Sequence, residues 1–222
     1  MARLARIVIP NYPHHIVQRG NRRQDVFFNQ SDYQQYLELL KHHCNKENIE
    51  IWAYCLMTNH VHIIATPNEK SNLSKAIGET HKNYTRIINQ RQQWTGYLWQ
   101  GRFSSFPMDE SYLLQAAAYV ELNPVMAGMV KNPWDYSYSS VHAHLSGHDE
   151  LGIIKANRLL ELVDDWKKYL QQAKEHKIDQ LQKHSKTGRI LGSDEFINKA
   201  EQLLKRKLRK NKPGPKKKND NN

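Results

Sequence analysis

Residues 49–57, IEIWAYCLM, and residues 60–66, HVHIIAT, are separated only by Thr58 and Asn59. Both runs are rich in the β-branched and aromatic residues that favour strands. A two-residue joint between two strands makes an antiparallel hairpin, with Thr-Asn a weaker turn former than Asn-Gly. The hairpin constrains everything around it. Residues 14–19, HHIVQR, read as an earlier strand, followed by a turn with a basic cluster, GNRR at 20–23. Ser31 or Asp32 can cap a helix running to about Lys46, with Tyr33, Tyr36, Leu37 and Leu40 on one stripe. Ser71 or Asn72 opens a second helix to about Arg91, with Leu73, Ile77, Tyr84 and Ile88 at helical spacing. Residues 96–108 are a strand region, and 110–122 form another helix.

The resulting order is strand, helix, strand, strand, helix, strand, helix. Its first six elements match the split βαβ, or ferredoxin-like, arrangement of an α+β fold. The expectation is an antiparallel sheet with two helices on one face and the other face free for a site. After Gly128 the pattern weakens. Residues 158–184 read as a polar helix, and 192–208 as a helix with acids first and bases last, as the helix dipole favours. Three regions are therefore expected: a main domain over 1–145, a mostly helical extension over 146–204, and a disordered basic tail over 205–222.

That tail accounts for most of the charge. Residues 205–222 hold nine Lys and Arg against one Asp, a net +8 out of the +11 carried by the 222-residue chain. Such tails bind polyanions or serve as solubilising or targeting segments. Cys44 and Cys55 are not spaced as a metal pair and read as buried thiols in a reducing compartment. Pro10 and Pro13 interrupt the short apolar run near the start, which argues against a signal peptide. No apolar run is long enough to span a bilayer, so a cytoplasmic protein is expected.

His60 and His62 are the unusual residues in the hairpin. On a strand, positions i and i+2 share a face, with Cβ atoms about 6–7 Å apart. Val61, Ile63 and Ala65 then face the helices. Two imidazoles at that spacing can converge on one divalent ion, although two ligands leave a site incomplete. The alternative is a pair of satisfied surface histidines. The chain contains its own controls. His142 and His144 have the same spacing in a segment without strand pattern, and on a helix they diverge. His14–His15 and His42–His43 are adjacent, so each pair diverges on any regular element.

The segment SYLLQAAAYVELNPVMAGMV at 111–130 supplies the second half of a candidate site. Tyr119 and Asn123 are four apart and share a helical face, with Tyr119 among the small residues Ala116 to Ala118. The alternative is a packed core tyrosine, which is what most tyrosines at helical spacing are. Pro124 is expected to bend or end the helix at Asn123.

The combination of NHVH on the third strand, WQGRF near the fourth and YVELNPVMAGMV on the next helix resembles the single-tyrosine transposases of the HUH class. It resembles most closely the REP-associated tyrosine transposases of prokaryotes. The similarity spans about residues 3–145, and GRILGSDEF at 188–196 is similar to that family's C-terminal part. Two positions depart from the pattern. Thr58 stands where proline is usual, which should alter only the turn, and Met126 stands where arginine is usual, which removes a candidate phosphate contact.

The resemblance implies a metal-dependent single-stranded DNA endonuclease and strand transferase that works beside a DNA hairpin. His60, His62 and Asn123 would hold Mg²⁺ or Mn²⁺. Tyr119 would form a 5′-phosphotyrosine intermediate that can be rejoined. Arg19, Arg22, Arg23, Arg91, Trp99 and Arg102 are the candidate DNA contacts, with Trp94 and Phe103 as further aromatics. The competing reading is a DNA-binding protein of the same fold that does not cut. A two-histidine phosphoesterase fits less well, because that class uses two His-x-Thr/Ser repeats and HVH lacks the hydroxyl residue. Whether the chain works as a monomer or a homodimer is left open.

Overall fold

The structure is a computed structural model that describes residues 6–155, 157–175, 190 and 192–209. Four strands form one sheet: β1 (His14–Arg19), β2 (Ile49–Met57), β3 (His60–Pro67) and β4 (Ser104–Pro107). Their order is β2-β3-β1-β4, and every pairing is antiparallel. This is the ferredoxin-like arrangement expected from the element order. The hairpin closes with Met57 opposite His60, and β1 lies on the other side of β3 with Arg19 opposite His60. The strand region expected over 96–108 shortens to four residues, and its leading part is a loop held to β1 by Gln100 N donating to Arg19 O.

Helices α1 (Gln30–Lys46) and α2 (Leu73–Gln92) cover one sheet face. Asn29 caps α1, ahead of the expected Ser31 or Asp32. Asp32 instead supplies the reciprocal half of a capping box. Asn72 caps α2 by accepting from Lys75 N. Tyr33, Tyr36, Leu37 and Leu40 of α1, and Leu73, Ile77, Tyr84 and Ile88 of α2, are buried against Val61, Ile63 and Ala65. The period-2 and period-3.6 patterns thus meet in one core. A register shift between Ile51 and Ala53 reverses the alternation of β2, so Tyr54 and Leu56 join this core while Cys55 and Met57 face the other way.

The second face is not free, and the expectation of helices on one face only is corrected here. Helix α3 (Glu110–Met126) packs across it. The physical reason lies in that face and in the helix. Ala53, Cys55, Met57, Ile64 and Phe106 make an apolar surface that needs cover. Leu113 and Ala116 through Pro124 are all buried, so α3 is apolar nearly all round and must be enclosed on several sides. Its outer side is closed by α4 (Val141–Ser146), α5 (Asn157–Leu160) and α6 (Trp166–Glu175), through Val141, Leu159, Trp166 and Leu170. Pro124 does not end α3, which continues to Met126. An interior proline costs about 3 kcal/mol, and here the burial of the surrounding turn offsets it.

The extension is also broken where one helix was expected. Residues 161–165 separate α5 from α6, and residues 176–184 of that expected helix lie outside the described residues. Helix α7 (Asp194–Leu204) is capped by Ser193 and docks on the N-terminal segment through Ile9, Phe196 and Ala200. Of the basic tail, residues 205–209 are described. Arg209 folds back onto Asp194 and Glu201. Residues 210–222 lie outside the described residues, as do 188, 189 and 191 of the GRILGSDEF segment.

Candidate active site

The alternation of β3 puts His60 and His62 on the α3 side of the sheet, with their ring centroids 5.0 Å apart and the rings nearly perpendicular. His62 is buried and His60 half-buried. Tyr119, on α3, packs its ring edge-on to His62 at 5.5 Å. Asn123 follows one helical turn later. Its Nδ2 donates to the Tyr119 carbonyl at 2.8 Å, which leaves the amide oxygen with its lone pairs. The continuation of α3 through Pro124 keeps Tyr119 and Asn123 on one face. Through β3 and α3, His60 thus meets His62, His62 meets Tyr119, and Asn123 bonds the Tyr119 carbonyl.

The electrostatics favour neutral imidazoles. Burial, and secondly the charge of Arg19, lowers His60 to about 4. Burial lowers His62 well below its ordinary range, helped by His15, His60 and Arg19. Each ring therefore offers a lone pair at neutral pH. For His60 that lone pair can be located. Asn59 Nδ2 donates to Arg23 O at 3.0 Å, so the Asn59 amide oxygen faces His60 Nδ1 at 2.7 Å. Nδ1 carries the proton, and Nε2 is the open nitrogen. Two neutral imidazoles and an amide oxygen suit a divalent ion of borderline hardness. Among the described residues, no group of three His, Cys, Asp or Glu forms a fuller cage. Tyr119 is raised by burial, while the Asn123 amide and the Arg19 charge pull it back down. Its hydroxyl is protonated at neutral pH.

A fifth residue was missed. His15 Nε2 lies 2.9 Å from His62 Nδ1, and the His15 ring sits 5.9 Å from the Tyr119 ring. The adjacent pair His14–His15 does diverge as expected. His14 turns away to accept from Ile9 N and to bond Tyr12 O. One of two diverging histidines nevertheless points into the site. The signal was the strand period: His15 shares a face with Arg19, itself a candidate from the sequence.

The expected DNA contacts separate into groups. Arg19 ends β1 beside His60. Arg22 and Arg23 are exposed in a short turn with left-handed backbone, φ 52° and 62°. Asn59 Nδ2 ties that turn to the hairpin. Arg102 is exposed. Arg91 is exposed but also engaged within the fold, and the expectation for Trp99 is corrected. Arg91 makes a forked ion pair with the buried carboxylate of Asp32, its Nη2 2.9 Å from Oδ2, and so joins α2 to the start of α1. Trp99 is buried, and its indole donates to His81 O at 3.3 Å, because the loop before β4 folds it into the first core. Phe103 is buried beneath the Arg6 guanidinium. Trp94 stays exposed, edge-on to the exposed Phe28 at 5.7 Å.

A model of the IS200-like transposase family matches residues 9–123, just over half of the chain and a span that includes every residue of this cluster. The chain belongs to the IS200-like transposase family. Its place there makes it a DNA-processing transposase. A solved REP-associated tyrosine transposase bound to a REP hairpin shares its fold, with a TM-score of 0.58 and 22% identity over 68% of this chain and 90% of that one. A putative transposase from Deinococcus radiodurans is 15% identical over 54% of this chain and 96% of its own, with a TM-score of 0.39. No curated protein matches. Among the described residues of this transposase, no helix is long and apolar enough to cross a membrane.

Proposed function

We propose that this transposase cuts and rejoins single-stranded DNA beside a hairpin through a covalent bond to Tyr119. The observation that supports this reading most strongly is the packing of the Tyr119 ring against His62, with His60 and Asn123 completing the cluster. The Tyr119 oxygen attacks phosphorus. An Oη–P bond forms and the P–O3′ bond breaks. The phenol proton is lost, and the departing 3′ oxygen takes one up. The 5′ end stays on the protein as a phosphotyrosine, and a later 3′-hydroxyl can reverse the step. Because burial holds the phenol protonated, the attack needs positive charge nearby, and Arg19 already lowers the cost of the phenolate. A divalent ion, Mg²⁺ or Mn²⁺, held by His60, His62 and the Asn123 oxygen would offset the negative phosphate oxygens.

The strand itself would run past the hairpin end of the sheet. Arg19, Arg22 and Arg23 supply charge for phosphates there, and the exposed Phe28 and Trp94 rings offer faces for unpaired bases. The related transposase bound to a REP hairpin suggests the substrate class. The test is covalent trapping with single-stranded hairpin DNA from the gene's own flanks. The wild type should yield a protein–DNA adduct that maps to Tyr119. Tyr119→Phe keeps the ring and its packing and should yield none, while Tyr112→Phe should behave as wild type. Adduct formation by Tyr119→Phe would overturn the mechanism.

A further inference from the structure

We infer that His15 is a positioning residue that sets which nitrogen of His62 is free to bind a metal ion. The inference rests on the metal reading proposed above. Its observation is the 2.9 Å contact between His15 Nε2 and His62 Nδ1, in which both rings are buried. Only one proton can lie between the two nitrogens. If His15 donates, His62 Nδ1 is the acceptor, and the His62 proton then sits on Nε2. That tautomer has no lone pair left for a cation. If His62 donates instead, its Nε2 is open, and His15 Nε2 is the acceptor. The same arrangement stands two residues earlier on the same strand face. Asn59 Oδ1 accepts from His60 Nδ1 and leaves His60 Nε2 open. Each histidine of the pair thus has a dedicated partner on Nδ1, one from the hairpin turn and one from β1.

His15 is otherwise an expensive choice of residue. Its ring packs near Phe106 at 6.2 Å and Tyr119 at 5.9 Å. A phenylalanine would fill such a place without burying a polar ring. Its neighbour His14 is explained by its own loop contacts, and His15 has no such role. Metal-binding histidines commonly donate their second N–H to a fixed acceptor, and loss of that acceptor costs about 10–100-fold in affinity.

Titration with Mn²⁺ tests the assignment without relying on activity. His15→Leu should weaken Mn²⁺ binding by about 10–100-fold. His15→Gln, whose side-chain oxygen can accept the same proton, should stay within a few-fold of wild type. Equal affinity in wild type and His15→Leu overturns the inference while leaving the metal reading intact. A His15→Gln variant that is folded and as weak as His15→Leu overturns it too. A wild type that binds no Mn²⁺, or a His62→Ala variant that binds as well as wild type, overturns the metal reading on which the inference stands. A second measurement needs no substitution. Nitrogen-15 chemical shifts of the metal-free protein should show His62 protonated on Nδ1 and bare on Nε2, and the opposite tautomer overturns the inference.

Discussion

The chain contains the His-x-His spacing twice, and the two copies have opposite fates. His60 and His62 lie on β3, where alternate side chains share a face, and their rings meet at 5.0 Å. His142 and His144 lie on α4, where i and i+2 diverge. His142 is exposed, whereas His144 is buried with Nδ1 2.7 Å from Glu121 Oε1 and Nε2 bonded to Trp52 O. Glu121 also accepts from Ser140 and from the Trp166 indole. This second site is a polar knot that fastens α3 to α4, α6 and β2. The surroundings push the two pairs in opposite directions. Burial lowers His60 and His62, whereas for His144 the Glu121 carboxylate overcomes the burial that would lower it. A motif written in spacing alone says nothing until its element is known.

The strongest way to break that comparison is to substitute both pairs and follow DNA cleavage. His60→Ala and His62→Ala should each lower the cleavage rate by about 100-fold or more, the scale of losing several kcal/mol of charge stabilisation. His142→Ala should cleave as wild type. A loss with His142→Ala equal to that with His60→Ala would place the chemistry elsewhere.

Stability separates the pairs in the other direction. His144→Ala leaves Glu121 buried without its cationic partner and should cost about 3–5 kcal/mol, read by denaturant unfolding. The pH dependence sharpens this. His144 is raised in the folded state, so its contribution is complete below about 6.5 and fades as pH rises through the higher folded value. His15 and His60 are lowered to about 4, so their contribution fades as pH falls from about 6.5 toward 4. Replacing His144 by Gln should remove the loss on the alkaline side and keep the loss on the acid side. A melting-temperature profile that keeps both slopes would show that His144 carries no charge in the folded protein.

The smallest effect is expected from the tail. Because Arg209 is bound to α7, truncation should begin at residue 210, removing five Lys and one Asp. For single-stranded DNA the logarithmic salt slope should flatten by about 0.7 for each phosphate that the tail no longer neutralises. Mn²⁺ affinity at His60 and His62 should not change. An unaltered salt slope would mean that these lysines do not touch the strand.

Much of the fold was legible because it is local. The hairpin, the two long helices and the shared face of His60 and His62 follow from side-chain period and from a two-residue turn. What stayed hidden is mostly a matter of which surfaces meet. Arg91 read as a DNA contact, and nothing in its own helix announces that it also pairs with Asp32, 59 residues away. Trp99 looked like a stacking ring, since an aromatic in a glycine-flanked loop reads the same whether the loop opens outward or folds in. Pro124 looked like a bend or a helix end, since its local cost is plain and the burial that lets α3 run on to Met126 is not.

Periodicity along the chain therefore determined the strand and helix spans and the side of β3 on which the histidines stand. Tertiary structure alone decided that α3 crosses the second face of the sheet, that Tyr119 arrives beside His62, and that His15 reaches it from 47 residues earlier. The reason is physical. Local pattern fixes the direction of a side chain relative to its own backbone, but the partner it meets depends on how apolar surfaces on distant segments are buried against each other. On this chain the apolar surface of α3 and the second face of the sheet need each other, and His62 and Tyr119 meet where they close.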